Sequence, residues 1–178
     1  MSTSFLKRVS TNIVEATGQE FAQEAAITRR LLERTPADQL TWKPHPKSMS
    51  IGALALHIAS GPEVFAGWIE KEVVDLSESK DKPQPTSLDE ILSAHEQSVR
   101  TVKKLLQSLS EADVQGMCTL RKHGATFMTM PKLAVLRTLI LNHLIHHRGQ
   151  LSVYLRLLNV PVPSMYGPSA DEGPFATV

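Results

Sequence analysis

Apolar residues recur at intervals of three and four along four long stretches of the chain, which is the spacing of one face of an α-helix. The first stretch covers residues 5–35, is interrupted at Gly18 and stops before Pro36. The second is predicted over residues 51–76, with Ser50 placed to cap it through its hydroxyl. These patterns predict a protein dominated by helices.

The second half of the chain contains two more helical patterns, with a weakly patterned segment between them. The third helix is predicted to start near Leu88, where Ser87 and Glu90 have the spacing of a capping box. The fourth begins near Pro131 and ends before the NVPVP segment at residues 159–163, which prolines prevent from continuing as helix. Residues 120–131 between them are predicted to form either a loop or a short hairpin turning at His123-Gly124.

Four amphipathic helices of this length most simply bury their apolar faces against one another. We therefore predict an all-α four-helix bundle that forms a single domain over residues 1–178. The connections are long enough to allow crossovers, so the pattern alone does not choose a simple up-and-down topology.

Composition narrows the class of partner. The 178 residues carry 19 basic and 18 acidic side chains, a net charge of +1, which lacks the basic excess typical of nucleic-acid binding or anionic membranes. We expect a small-molecule or protein partner. Cys118 is the only cysteine, so no intrachain disulfide can form. No apolar run has the length of a signal peptide or of a membrane-spanning helix, and we expect a cytoplasmic protein.

Three histidines fall within five residues of the fourth helix, in the segment NHLIHHRGQL at residues 142–151. His143 and His147 are four residues apart and share one helix face. That face also carries apolar residues, namely Leu136, Leu139, Ile140, Leu151, Tyr154, Leu155 and Leu158. His57 likewise lies on an apolar face of the second helix, among Leu54, Ile58, Gly61, Val64, Phe65 and Trp68.

These positions have two interpretations. A lone histidine on an apolar face is commonly a hydrogen-bonded core residue. An HxxxH pair, however, projects two ring nitrogens at a spacing suited to one metal ion, and a third imidazole leaves one coordination position open. We predict that His57, His143 and His147 bind a divalent ion.

The other candidate residues are expected to have structural roles rather than to bind the metal. His146 points about 100° away from the pair, so we expect it at the surface or behind the site. Arg148, Gly149 and Gln150 are assigned a salt bridge, close helix packing and a hydrogen bond, and Tyr154 lies within reach of the site along its helix. The remaining histidines, His45, His95 and His123, are expected to be exposed.

Three segments resemble the DinB-like superfamily, which includes YfiT-like proteins. They are WKPHPKSMSIGALALHIA around His57, LNHLIHHRGQLSVYLRLLNVPVP around His143 and His147, and YGPSADE near the end. The resemblance implies a four-helix bundle with up-down-down-up topology, a three-histidine metal site and a homodimer. Its metal positions match His57, His143 and His147, the residues that helix phase selects independently.

The resemblance also implies a function, which we state as an expectation. It favours a metal-dependent enzyme of the thiol S-transferase type, with a small-molecule thiol as co-substrate. The alternatives are a metal-dependent hydrolase and a non-catalytic metal-binding stress-response protein. Three imidazoles suit zinc, nickel, copper and iron alike, and we expect zinc or nickel. Cys118 lies in the weakly patterned segment and no acidic residue accompanies the histidines, so activation is assigned to the metal.

Overall fold

The computed structural model describes residues 12–77 and 83–173, and within them the protein is mostly helical with a small sheet. Helix α1 spans Ile13–Leu32 and passes through Gly18 without a break, so the predicted interruption is absent. Helix α2 spans Ile51–Ile69 and helix α3 spans Leu88–Ser108. The part of the first predicted helix at residues 5–11 lies outside the described residues.

Side-chain caps fix where the long helices begin. The Ser50 hydroxyl accepts a hydrogen bond from the Ala53 amide at 3.1 Å, which confirms the predicted cap of α2. Ser87 caps α3 in the same way, accepting from the Glu90 amide at 3.2 Å. The Glu90 carboxylate accepts from the Thr86 amide at 2.9 Å, one residue before the position that a complete capping box uses.

The last long helix is continuous from Lys132 to Leu157 but changes its winding. It consists of α5 at Lys132–Val135, a π-helical segment at Leu136–Asn142 and α6 at His143–Leu157. A π-helix bonds each amide to the carbonyl five residues earlier, and such segments occur frequently at functional sites. The regular α-helix resumes at His143, the first of the paired histidines.

A three-stranded sheet corrects the all-α prediction. After the short helix α4 at Glu111–Gln115, strands β2 at Met117–Lys122 and β3 at Ala125–Pro131 form an antiparallel hairpin. Strand β1 at Val73–Asp75 pairs with β2 in parallel. The prediction of helix through residue 76 is therefore wrong, because α2 ends at Ile69 and buried Val74 pairs with Leu120.

The hairpin turns at His123-Gly124, as one of the two sequence alternatives proposed. Both turn residues have positive φ angles, 49° and 79°. Two consecutive positive φ values suit the tight turns that match the twist of a hairpin, and glycine adopts them without steric cost.

Helices α1 and α2 each pack against both α3 and the last helix. Two apolar clusters fill the interior, one on the side of the sheet and one around Leu54, Leu144 and Leu151. Within the described residues, every helix is too short or too polar to cross a membrane.

Candidate metal centre

The three predicted histidines meet in space. His57 comes from the first half of α2, and His143 and His147 come from the first two turns of α6. The Nε2 atom of His143 lies 3.4 Å from Nε2 of His57 and 3.0 Å from Nε2 of His147. One ring nitrogen from each of the three lies within 4.8 Å of the others. The structure thus brings together the residues that helix phase selected.

The histidines lie at the edge of the core, which corrects the prediction that they share its buried face. The fully buried positions of α6 are Leu144, Arg148, Leu151 and Leu155. His143 directly precedes Leu144, and His147 directly precedes Arg148, so each histidine is rotated by about 100° from the buried face. Both histidines are half-buried. His57 is also half-buried. The three rings therefore stand between the apolar interior and solvent.

Both helices that supply the histidines depart from regular α-helical bonding beside the site. Pro62 lies five residues after His57 and has no amide hydrogen to donate within α2. The next amide, Glu63 N–H, donates to the Ser98 hydroxyl of α3 at 3.0 Å. On the other side, the π-helical segment ends directly before His143. Backbone irregularities thus flank the site on two helices.

Apolar side chains form the rest of the walls. The cleft next to the histidines is lined by Ile58, Pro62, Leu139, Ile140 and Leu144. Phe65 contacts His143 edge to face, with 5.1 Å between ring centroids. The cleft is narrow, because these side chains fill most of it.

Burial controls the charge of the cluster. It lowers the pKa of His143 to about 4, with a further contribution from the neighbouring His147, His57 and His146. Burial also lowers the pKa of His147, partly offset by its hydrogen bond to Gln150. Both rings are therefore neutral at pH 7, the form in which an imidazole nitrogen binds a metal.

Gln150 links His147 to His146 on the outer face of α6. Its Oε1 lies 2.7 Å from Nδ1 of His147, and its Nε2 lies 3.2 Å from Nε2 of His146. His146 is exposed and its ring contacts that of His147 with 4.9 Å between centroids. His146 thus lies behind the site, as its helix phase indicates, and the hydrogen bond expected of Gln150 is present.

The other candidate residues from the sequence have structural roles in the fold. Tyr154 packs edge to face on Trp42, with 5.7 Å between centroids, in the apolar cluster around Leu151. Gly149 has open space around it, so the predicted close packing is wrong. Cys118 is buried and its thiol faces the Trp68 carbonyl at 3.6 Å, and burial raises its pKa. A buried, protonated thiol is a poor nucleophile.

His95 corrects another expectation, because it is buried against α1 rather than exposed. Burial lowers its pKa, and the nearby Arg29 charge lowers it further. Residues on the same face of α3, Ile91, Ser98 and Val102, are also buried. The helix-phase argument that placed His57 on an apolar face would also have predicted that His95 is buried.

The sequence suggested a salt bridge for Arg148 but did not indicate that this salt bridge is buried. The Arg148 side chain is 1% exposed and pairs with Glu24 of α1, whose side chain is 10% exposed. Its guanidinium also donates to the Glu24 carbonyl at 3.1 Å, to the Thr28 hydroxyl at 3.2 Å and to the Tyr166 hydroxyl. Tyr166 in turn donates to the Glu24 carboxylate at 2.6 Å. This network is buried at Arg148 and Glu24, reaches the surface at Tyr166, and joins α1, α6 and the segment after α6.

Without bound metal, the protein should lose stability as the pH falls from 6.5 toward 4. The unfolded chain protonates His143 near pH 6.5, whereas the folded protein does so near 4, so the unfolded state binds more protons between these values. The stability contributed by this difference is complete above pH 6.5 and is lost as the pH falls through 4. Urea unfolding across this pH range measures the loss.

The variant His143→Gln should flatten part of that pH dependence, because it removes the perturbed group. His123→Asn, at the exposed hairpin turn, is the matched control and should leave the dependence unchanged. Identical pH dependence in His143→Gln and in the unaltered protein would contradict the expectation.

A mostly helical fold with three imidazoles converging from two helices defines a class of candidate metal-binding proteins. The profile of the DinB family matches residues 1–174, and the chain belongs to that family. Among solved structures, it resembles a DinB-like protein from Bacillus cereus ATCC 10987, with 27% identity and a TM-score of 0.71. That match covers 87% of this chain and 98% of the other.

Two further similarities come from Bacillus subtilis (strain 168). The uncharacterised protein YrdA is 27% identical over 150 residues, which cover 84% of this chain and 85% of YrdA. The crystal structure of YjoA, a DinB-like protein, superposes with a TM-score of 0.66 at 22% identity, covering 85% of this chain and 99% of that one. The second match supports the fold alone.

Proposed function

We propose that His57, His143 and His147 hold one divalent metal ion. The observation that carries this proposal is the convergence of three imidazole nitrogens from two helices. Tetrahedral coordination at about 2.0–2.1 Å separates ligand nitrogens by roughly 3.3 Å. The Nε2 separations of 3.4 Å and 3.0 Å lie close to that value. The donor set therefore fits an ion such as zinc or nickel.

We further propose that the site serves a metal-dependent enzyme of the thiol S-transferase type. When bound, a divalent ion with an open coordination position supplies Lewis-acid activation of a thiol or of water. The described side chains that line the cleft are imidazoles, a proline and aliphatic groups, and they include no hydroxyl, thiol or carboxylate. The nucleophile must then enter from outside, which a small-molecule thiol would do.

This chain's own residues contribute position and environment. The three rings fix where an ion binds, and the apolar wall of Ile58, Leu139 and Leu144 excludes water from the reacting atoms.

Elemental analysis of the purified protein, followed by assays with and without metal, tests both proposals. We expect about one zinc or nickel per chain, and turnover of an electrophile with a low-molecular-weight thiol only in the metal-loaded protein. The variant Cys118→Ser should retain that turnover, because the thiol is buried and protonated. Thiol-dependent turnover that survives metal removal, or that disappears in Cys118→Ser with metal retained, would contradict the mechanism.

A metal-binding protein without turnover is the second candidate, and the narrow cleft favours it. If the protein binds metal tightly but turns over no thiol-dependent or hydrolytic substrate, the non-catalytic function is supported. A metal-dependent hydrolase would instead turn over ester or amide substrates without added thiol.

We also propose the up-down-down-up four-helix bundle as the topology. The packing of α1 and α2 against both α3 and the last helix supports a bundle with α3 and the last helix between the first two. The up-down-down-up directions of the helices rest on the family resemblance.

We propose that two copies of the chain associate through the outer edge of β3. Strand β3 is seven residues long and has no charged side chain, whereas the opposite edge strand, β1, has three residues and ends in Asp75. Long uncharged edges readily pair with another strand, and natural proteins usually protect them with charges. Phe127 on β3 is 60% exposed. Antiparallel pairing of β3 with its copy satisfies two-fold symmetry.

Light scattering should therefore give about twice the monomer mass of 19.6 kDa. Phe127→Lys should shift the protein to monomer by placing a charge on the pairing edge. Val153→Lys, on the outer face of α6, is the matched control, because Val153 is 57% exposed and apolar. A monomer at all micromolar concentrations, or dissociation caused only by Val153→Lys, would contradict this interface.

A further inference from the structure

The side chain of Gln150 occupies a specific place behind His147. Gln150 lies three residues after His147 on α6, one helical turn along the same side. Its amide contacts the His147 ring on the nitrogen that faces away from the cluster, while the opposite nitrogen, Nε2, faces His143 at 3.0 Å.

The amide is placed with its oxygen toward His147 and its nitrogen toward His146. The contact from Oε1 to Nδ1 of His147 is 2.7 Å, a short N–H···O distance, and the contact from Nε2 to Nε2 of His146 is 3.2 Å. An amide oxygen can only accept, so Nδ1 of His147 must carry the hydrogen. The amide nitrogen then donates to His146.

We infer that Gln150 is a positioning residue that holds His147 in the tautomer required for metal binding. With hydrogen on Nδ1, the free electron pair of the neutral ring lies on Nε2, which points into the cluster. Without this acceptor, a neutral histidine can place its hydrogen on Nε2 and turn a donor toward the site. The inference rests on the proposed metal function and adds the residue that prepares its third ligand.

The expected size of the effect follows from other metal sites. Loss of the hydrogen-bond partner of a ligand histidine typically lowers metal affinity by about 10–100-fold. Gln150→Ala should lower Zn²⁺ affinity by that factor, whereas Gln150→Glu should restore it, because a carboxylate also accepts from Nδ1–H. His146→Ala removes only the outer hydrogen bond and should change the affinity much less.

Two measurements separate this inference from the proposed metal function. Nitrogen-15 NMR of the metal-free protein should show His147 with hydrogen on Nδ1, and should show a mixture of tautomers in Gln150→Ala. Competition titration with a chelator then gives the Zn²⁺ affinity of each variant. Circular dichroism confirms that each variant is folded before either result is interpreted.

The outcomes are distinct. Zn²⁺ binding that is equally tight in Gln150→Ala, or a His147 ring carrying its hydrogen on Nε2 in the unaltered protein, would overturn the role of Gln150 and leave the metal function standing. Failure of the unaltered protein to bind Zn²⁺ or Ni²⁺, with the tautomer still dependent on Gln150, would instead refute the metal function.

Discussion

Replacing His143 with alanine should remove most of the metal-binding affinity of the protein. Nε2 of His143 lies 3.4 Å from Nε2 of His57 and 3.0 Å from Nε2 of His147, so it is placed to share one ion with both rings. The variant retains only two imidazoles, and its affinity should fall by more than the ~100-fold that loss of an outer hydrogen bond costs at most. Metal content after dialysis against a chelating buffer measures the effect.

His146→Ala provides the control, because His146 is on the same helix, exposed and adjacent to a ligand, yet has no nitrogen in the cluster. It should retain most of the metal. His147→Ala should resemble His143→Ala. Equal metal loss in His146→Ala and His147→Ala would mean that the face of α6 has been assigned incorrectly.

Replacing Arg148 with methionine should cause the largest loss of stability. The substitution keeps an unbranched apolar stem but leaves the Glu24 carboxylate buried without its cation. Removing one partner of a buried ion pair costs about 3–5 kcal/mol, because the remaining charge has lost both water and its partner. For a chain of this size, that loss lowers Tm by roughly 6–20 °C. Thermal unfolding followed by circular dichroism measures it.

Arg156→Met is the matched control on the same helix. Arg156 pairs with Asp171, but its side chain is 50% exposed, and exposed pairs contribute only about 0–1 kcal/mol. The double variant Arg148→Met with Glu24→Gln should recover part of the lost stability, because it no longer buries a charge. A cost for Arg148→Met no greater than that for Arg156→Met would contradict this account.

Local patterns in the sequence were sufficient to identify the candidate site. His57, His143 and His147 could be selected because helix phase depends only on neighbours within one or two turns. The caps at Ser50 and Ser87 were predictable for the same reason, since each acts on an amide three residues away. The turn at His123-Gly124 was visible in its residue types, although they did not decide between loop and hairpin.

The features that the sequence did not reveal depend on distant partners. Residues 73–75 continue an apolar helical pattern, and only pairing with residues 119–121 makes them a strand. The one-residue offset between the histidines and the buried face of α6 arises because Arg148 occupies the interior, which requires Glu24 on another helix. A pattern based on apolar residues counts an arginine as polar, so it assigned His143 and His147, rather than Arg148, to the buried face of α6.

The Glu24 network also constrains the order in which the chain can fold. Besides its ion pair with Arg148, the carboxylate accepts a hydrogen bond from Tyr166, 142 residues later in the sequence. At a synthesis rate of roughly 5–20 residues per second, that partner follows Glu24 by on the order of 10 s. During translation, the first helix therefore exposes a carboxylate and the surface around it that the finished protein covers. The native contact between the first and last helices belongs to a late event, after most of the chain has left the ribosome.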